Sequence, residues 1–342
     1  MPDRIPVTVL TGYLGAGKTT LLNRILAQPN GHRYAVVINE FGEIGIDGDL
    51  VVAGDEELVE LSNGCICCTV RGDLVRTLRG LLGRSPPPDA ILVETTGLAA
   101  PGPVAQTFLV DPVLQSRMRL DSITTLVDSM HIQLRLDDSR EAAEQVAFAD
   151  QIVLNKSELV DETQLLAVER RLRRLNPLAP IQRAVRSDVP IDLLLGRGGF
   201  ELERILTLEP ALLATAGAAA GHVHDAHCDH DHCHAPDHAG HHDHGIASVS
   251  LVSRAPMDQA KVGAWITGLV EAQGKDILRL KGILDCAGEP RRVVVQSVHM
   301  QLEGDLQRPW RANEARSSRL VLIGRQLDRD ALQRAFEACV AQ

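Results

Sequence analysis

The chain has 342 residues, of which 44% are hydrophobic and 23% charged, a globular composition long enough for two domains and for a core without disulfide staples. Lys and Arg number 35 against 45 Asp and Glu, the net charge is −10, and aromatics make up 3%. That balance, with no long basic run, excludes general nucleic-acid binding, which needs phosphate neutralisation and stacking surfaces. No segment reaches the roughly 18 apolar residues of a membrane span. The apolar run Ile5 to Leu10 is too short for a secretory signal. The expected location is the cytoplasm, with no membrane and no nucleic-acid partner.

In chain order, short apolar runs alternate with helical patterns. Val7 to Leu10 reads as a buried strand, and Thr19 to Ala27 as a helix with Leu21, Leu22, Ile25 and Leu26 on one face. Strands are expected at Tyr34 to Ile38 and Leu58 to Leu61, then a helix over Leu74 to Leu82 that Pro86 to Pro88 ends. Further strands fall at Ala90 to Val93, Ile123 to Val127 and Gln151 to Leu154, before an amphipathic helix from Thr163 to Leu175. This alternation predicts an α/β fold of the P-loop type, with a mainly parallel, doubly wound sheet, over residues 1–210.

Residues 211–245 lack hydrophobic periodicity and read as a flexible linker, rich first in Ala and Gly and then in His. A smaller α+β unit follows over 246–342. Its strands are expected at Ser248 to Val252, Ile277 to Leu284, Arg292 to Val298 and Leu320 to Ile323. Its helices are expected at Met257 to Ala272 and Asp328 to Val340, on one face of an antiparallel sheet.

The first motif is Gly12-Tyr13-Leu14-Gly15-Ala16-Gly17-Lys18-Thr19, followed by Thr20. It matches G-x-x-x-x-G-K-[ST] between a strand and a helix, the context of a P-loop. Backbone amides of Gly12, Gly15, Ala16 and Gly17 converge on phosphate oxygens, and the helix N-terminus favours the same anion. Lys18 reaches the β and γ phosphates, and the Thr19 hydroxyl ligates Mg²⁺. The second Mg²⁺ element is expected to be an acid at a strand end. Glu94, after Ile91-Leu92-Val93, fits that place, and Asp128 is the weaker rival. Asn155-Lys156-Ser157-Glu158 then resembles the guanine-reading Asn-Lys-x-Asp. Asn155 would brace the loops, Lys156 would cover the base, and Glu158 would accept from guanine with one methylene more than Asp. GTP is the expected nucleotide.

The second motif is Asn63-Gly64-Cys65-Ile66-Cys67-Cys68. Cys65, Cys67 and Cys68 offer three thiolates within four residues, a soft site suited to Zn²⁺. Cu(I) would also accept such ligands. Redox chemistry is the rival reading, but C-x-C-C is not the C-x-x-C of thiol oxidoreductases. Glu40 and Glu43, after the second strand, are candidates for oxygen ligands or for a response to the γ phosphate. Ten of the 13 histidines lie between 222 and 244, beginning His222, His224, His227, His230, His232 and His234. Near pH 7 such imidazoles are largely neutral, so the run reads as an accessory arm that collects divalent metal.

Together these segments resemble the CobW family of metal-chaperone GTPases, within the SIMIBI class of P-loop proteins. The resemblance rests on Thr11 to Thr20, Ile38-Asn39-Glu40-Phe41-Gly42, the C-x-C-C segment and Glu94-Thr95-Thr96-Gly97-Leu98. It continues in Leu278-Arg279-Leu280-Lys281-Gly282 and Arg308-Pro309-Trp310. The resemblance implies a slow GTPase that binds Zn²⁺ or a related metal at Cys65, Cys67 and Cys68 and hands it to a client metalloprotein. A homo-oligomer dependent on metal or nucleotide is a further expectation. The alternatives are a zinc buffer built on the His-rich arm, or a GTPase that inserts cobalt, nickel or iron into a metalloenzyme or serves cobalamin synthesis.

Overall fold

The computed structural model describes residues 4–28, 32–40, 57–62, 69–200, 244–311 and 314–342. Seven strands form one parallel sheet: β1 (Ile5–Gly12), β2 (Tyr34–Glu40), β3 (Glu57–Ser62), β4 (Ala90–Thr95), β5 (Met118–Asp128), β6 (Gln151–Asn155) and β7 (Ile181–Arg183). Their order is β3-β2-β4-β1-β5-β6-β7. Strands buried on both faces are continuous Val, Ile and Leu runs, and β1, β4 and β6 read that way. One face packs Val7, Val9, Ile91 and Val93 against α2 (Thr69–Leu82), α3 (Gly102–Val110), α6 (Arg140–Phe148) and α7 (Glu162–Leu175). The other packs Leu10, Val36, Leu92 and Leu126 against Leu21, Leu22 and Ile25 of α1 (Lys18–Leu26). The doubly wound α/β sheet expected from the sequence is therefore the observed one.

The structure adds elements to the expected set: α3, α4 (Pro112–Arg117), α5 (Ile132–Asp138), α6 and the short β7. They escape a periodicity reading for physical reasons. Helix α3 carries no polar stripe, and α5 and α6 are separated by Ser139 alone, whose hydroxyl caps α6 by accepting from the Ala142 amide.

A second sheet is antiparallel, in the order β11-β10-β9-β12-β8. Its strands are β8 (Ile246–Ser253), β9 (Ile277–Leu284), β10 (Arg291–Val298), β11 (Gln301–Pro309) and β12 (Ser318–Arg325). One face is covered by α8 (Gln259–Gln273) and α9 (Arg329–Glu337), through Val262, Ile266 and Phe336. Strand β11 was not among the expected elements. It lies at the sheet edge and is polar and largely exposed, so burial imposes no apolar alternation on it. Among the described residues no helix is long and apolar enough to cross a membrane. The linker at 211–243 lies outside the described residues.

The other face of the antiparallel sheet joins the first core. Leu278, Ile283, Val294 and Val321 pack in one cluster with Val146, Phe148 and Leu172. Ion pairs cross the same junction. Asp150, its side chain 5% exposed, accepts from the Ile123 amide at 2.8 Å and pairs with Arg279 and, at 3.3 Å, with Lys281. Glu144 likewise holds Arg325. Burial alone would raise the Asp150 carboxyl, but the facing Arg279 and Lys281 cations outweigh it and hold it below the ordinary range. Its contribution to stability is thus full above the unfolded value of about 3.9 and is lost as pH falls through the lower folded value. Asp150→Ala would bury Arg279 and Lys281 without this counter-charge. The expected loss in urea unfolding is about 3–5 kcal/mol, and adding Arg279→Met is expected to recover part of it.

Candidate nucleotide site

β1 ends at Gly12, the chain turns through Gly15 and Ala16, and α1 opens at Lys18. Gly17 enters the helix at φ 106°, and a Cβ there would stand 2.5 Å from Asn155 Nδ2, so this position requires glycine. Lys18 is buried inside the loop, where its Nζ donates to Gly12 O at 2.9 Å and to Tyr13 O at 3.4 Å. Thr20 follows Thr19 in the first turn of α1.

β4 lies directly beside β1, with Leu10 opposite Glu94. That register brings the strand-end acid under the first turn of α1. Glu94 is buried, and Thr19 Oγ1 donates to its Oε1 at 3.2 Å. A hydroxyl and a carboxylate oxygen at the mouth of a phosphate loop form a hard donor set suited to Mg²⁺. After β4 the chain presses against the P-loop: a Cβ on Gly97 would lie 2.6 Å from the Leu14 amide nitrogen. Gln145 of α6 pins that turn, donating to Gly97 O at 3.0 Å and to Ala99 O at 3.1 Å.

Asn155 closes β6 and ties three loops together. Its Nδ2 donates to Ala16 O at 2.9 Å and to Ser187 Oγ at 3.0 Å, and its Oδ1 accepts from the Ser187 amide at 2.7 Å. Ser187 Oγ in turn donates to Gly17 O at 3.1 Å. Ser187 was absent from the sequence reading, and its signal is tertiary: it is fully buried, at φ 57°, far along the chain from Gly17.

Lys156 follows at φ 59° and donates to Asp128 Oδ2 at 2.7 Å. His131 Nδ1 contacts the same oxygen at 3.0 Å. Asp128, expected as the rival magnesium acid, is thus committed to Lys156, while Glu94 meets Thr19. Burial alone would raise the Asp128 carboxyl, but hydrogen bonds from Lys156, His131 and the Met130 amide outweigh it, so its pKa is lowered. Glu158 lies exposed in a single 3-10 turn, Ser157–Leu159. A cavity of about 260 Å³ opens beside the P-loop, lined by Tyr13, Leu14, Asp128, His131, Arg135 and Gln145 among others.

The metal-ligand expectations fall elsewhere. Cys65, Cys67, Cys68, Glu43 and the histidines from His222 to His234 lie outside the described residues, as does the side chain of Glu40. Among the described residues no group of three or more His, Cys, Asp or Glu is placed to hold a metal ion. Cys286 and Cys339 are buried separately in the second sheet's core, and burial, with Asp285 and Glu289 nearby, pushes the Cys286 thiol up to about 11. Such a thiol stays protonated and inert.

The strands that flank the cysteine segment are described. Leu10 pairs with Glu94, Glu94 with Ile38, and Ile38 with Glu60. Counting two residues on from this row brings Gly12 and Ser62 to the same level of the sheet. Three strand spacings of about 4.8 Å put β3 roughly 14 Å from β1. Strand β3 therefore ends, at Ser62, on the same edge of the sheet as the phosphate loop, and the next described element is α2.

This is a P-loop nucleotide-binding protein by fold and by site. Residues 6–183 match the family model described as "CobW/HypB/UreG, nucleotide-binding domain", and residues 246–340 match "Cobalamin synthesis protein cobW C-terminal domain". The zinc chaperone YjiA of Escherichia coli is 34% identical over 337 residues, 97% of this chain and 98% of that protein. The zinc-regulated GTPase metalloprotein activator 1 of Schizosaccharomyces pombe is 43% identical over 186 residues, 52% of this chain and 45% of that protein. A crystal structure of Zn(II)-bound YjiA GTPase from E. coli covers 99% of this chain and all of its own, with a TM-score of 0.75 at 29% identity. The chain belongs to the CobW/HypB/UreG family.

The brace at Asn155 makes a direct test. Asn155→Ala strips the buried Ser187 amide of its acceptor and the Ala16 carbonyl of a donor, at a cost of about 1–3 kcal/mol. Nucleotide affinity, measured by calorimetry, is expected to fall about tenfold or more. Ser187→Ala removes a hydroxyl and is expected to cost less.

Proposed function

We propose that the chain is a GTP-hydrolysing metallochaperone that binds Zn²⁺ at Cys65, Cys67 and Cys68 and passes it to a client metalloprotein under nucleotide control. The observation that carries the reading is the meeting of Thr19 and Glu94 at the phosphate loop, on the sheet edge from which β3 leads into the cysteines. The names of the relatives, two of them a zinc chaperone and a zinc-regulated GTPase, support the same class. The cytoplasm, a metal- or nucleotide-dependent homo-oligomer, and an accessory metal role for Glu40, Glu43 and the His-rich arm belong to the same proposal.

In this reading the amides of Gly12, Gly15, Ala16, Gly17 and Lys18, with the N-terminus of α1, cradle the phosphates. Lys18 exchanges its two carbonyl partners for β- and γ-phosphate oxygens. Thr19 and Glu94 are the residues that would hold Mg²⁺, which when bound neutralises phosphate charge. Glu94 is the chain's strongest candidate to orient the attacking water. Asn155 fixes the loop, Lys156 covers the base, and Glu158 accepts from guanine.

Coupling follows from adjacency. The segment from Asn39 to Asp49 begins in the last two residues of β2, and β2 lies between β4, with its Glu94, and β3. A γ-phosphate contact that orders this segment also acts on the strand that feeds the cysteines. A tenfold change in metal affinity needs only about 1.4 kcal/mol, and linkage requires metal to change GTP affinity by the same factor.

Turnover measurements test the enzymatic half. Wild-type protein is expected to hydrolyse GTP, and Lys18→Ala and Glu94→Gln to lower turnover at least about a hundredfold, the scale of losing an electrostatic contact made in the transition state. Glu158→Asp is expected to sharpen the preference for GTP over ATP. Absence of turnover in the wild type would overturn the GTPase reading and leave the His-rich arm as a zinc buffer.

A further inference from the structure

The antiparallel sheet holds a second cavity, of about 220 Å³, away from the nucleotide site. Its wall includes Ile283 of β9, Arg292 of β10 and Arg319 of β12, neighbours across three adjacent strands. Trp310, Glu314 and Ser317, on the connection between β11 and β12, complete it. Arg279, Lys281 and Ile283 alternate along β9, so the cavity continues the face that packs on the parallel sheet.

Arg292 is 1% exposed, yet its donors are far from used up. One nitrogen pairs with the Glu314 carboxylate. Its Nε and a second terminal nitrogen are buried with no hydrogen-bond partner, and the Trp310 indole Nε1 is in the same condition. Burial and the neighbouring charges of Arg308, Arg311 and Arg319 push the Arg292 guanidinium down to about 10, so it stays cationic at neutral pH. Nearby acids are engaged elsewhere: Asp285 holds Arg316, and Glu289 holds Arg291. Among the described lining residues, Glu314 alone brings a carboxylate to the wall. It accepts from the Arg311 amide at 3.2 Å and lies 3.6 Å from Arg308.

Buried donors without acceptors in a cationic cavity call for an anion. A nucleobase does not fit, because the Trp310 ring is already occupied by guanidiniums, Arg292 at 4.7 Å and Arg316 at 5.8 Å from its centroid. A metal cation is repelled. The planar fork of arginine matches a carboxylate, and the chain's own Glu314 occupies that seat. We propose that this cavity is a carboxylate-binding site, in which Glu314 stands in for an incoming carboxylate that displaces it from Arg292 and bonds the guanidinium fork and Trp310 Nε1. A free polycarboxylic acid and the carboxylate of a peptide share this chemistry.

The chain has two tryptophans, so Trp265→Phe leaves Trp310 as the single indole reporter in the full-length protein. Its fluorescence would be titrated with citrate, with a short peptide bearing a free C-terminal carboxylate, with the same peptide amidated, and with inorganic phosphate, all at constant ionic strength. A saturable change is expected with citrate or the free-acid peptide. Citrate alone would identify a small acid, and a peptide response lost on amidation would identify a peptidyl carboxylate. Glu314→Gln removes the resident charge and is expected to tighten binding about tenfold, and Arg292→Lys, which loses the fork, to weaken it at least as much. GTP turnover of Glu314→Gln is expected to stay at the wild-type rate. Three results would each overturn the assignment: no saturable change in Glu314→Gln, phosphate binding as tightly as the carboxylates, or unchanged affinity in a folded Arg292→Lys.

Discussion

The nucleotide site depends on one amide side chain. Asn155, at the end of β6, donates to the P-loop carbonyl of Ala16 and exchanges two hydrogen bonds with Ser187. A phosphate loop must hold its amides inward against their own preference for the usual backbone regions, and Gly17 does so at φ 106°. Without a brace that conformation would be one of several. With it, the loop is cross-linked to two neighbouring connections, and Thr19 is delivered to Glu94 across the β1–β4 pair.

The parallel sheet then does the work of integration. Its register sets Gly12 and Ser62 at one height, so the phosphate loop and the end of β3 share an edge. The antiparallel sheet is fastened beneath by a common apolar core and by the buried Asp150, Arg279 and Lys281 group. Buried ion pairs gain little net stability over apolar packing, but they penalise every misaligned arrangement. They therefore fix how the second sheet meets α6, the helix whose Gln145 pins the turn after Glu94.

Much of this was legible in the sequence because the chemistry there is local. The P-loop has fixed spacing, Glu94 ends an apolar run, and Asn155-Lys156 follows another. The parallel fold followed from continuous apolar strands. What escaped was non-local or unpatterned. Ser187 acts on Gly17 across most of the domain, and nothing around it in sequence announces a brace. Arg279 and Lys281 lie in an expected strand, but only the fold brings Asp150 to face them. Helix α3 carries no polar stripe, and β11 is a polar edge. Asp128 was legible as a strand-end acid, but only the fold shows that Lys156 engages it.

In the proposed chaperone, nucleotide state changes the grip on metal. The most direct measurement is Zn²⁺ affinity by competition with a chromophoric chelator, in protein lacking residues 222–244, with Mg²⁺ and either a non-hydrolysable GTP analogue or GDP. A tight site that vanishes in the Cys65, Cys67 and Cys68 to Ser variant, and whose affinity differs about tenfold or more between the two nucleotides, is the expected result. Equal affinity in both states, or a site indifferent to the three cysteines, would contradict it.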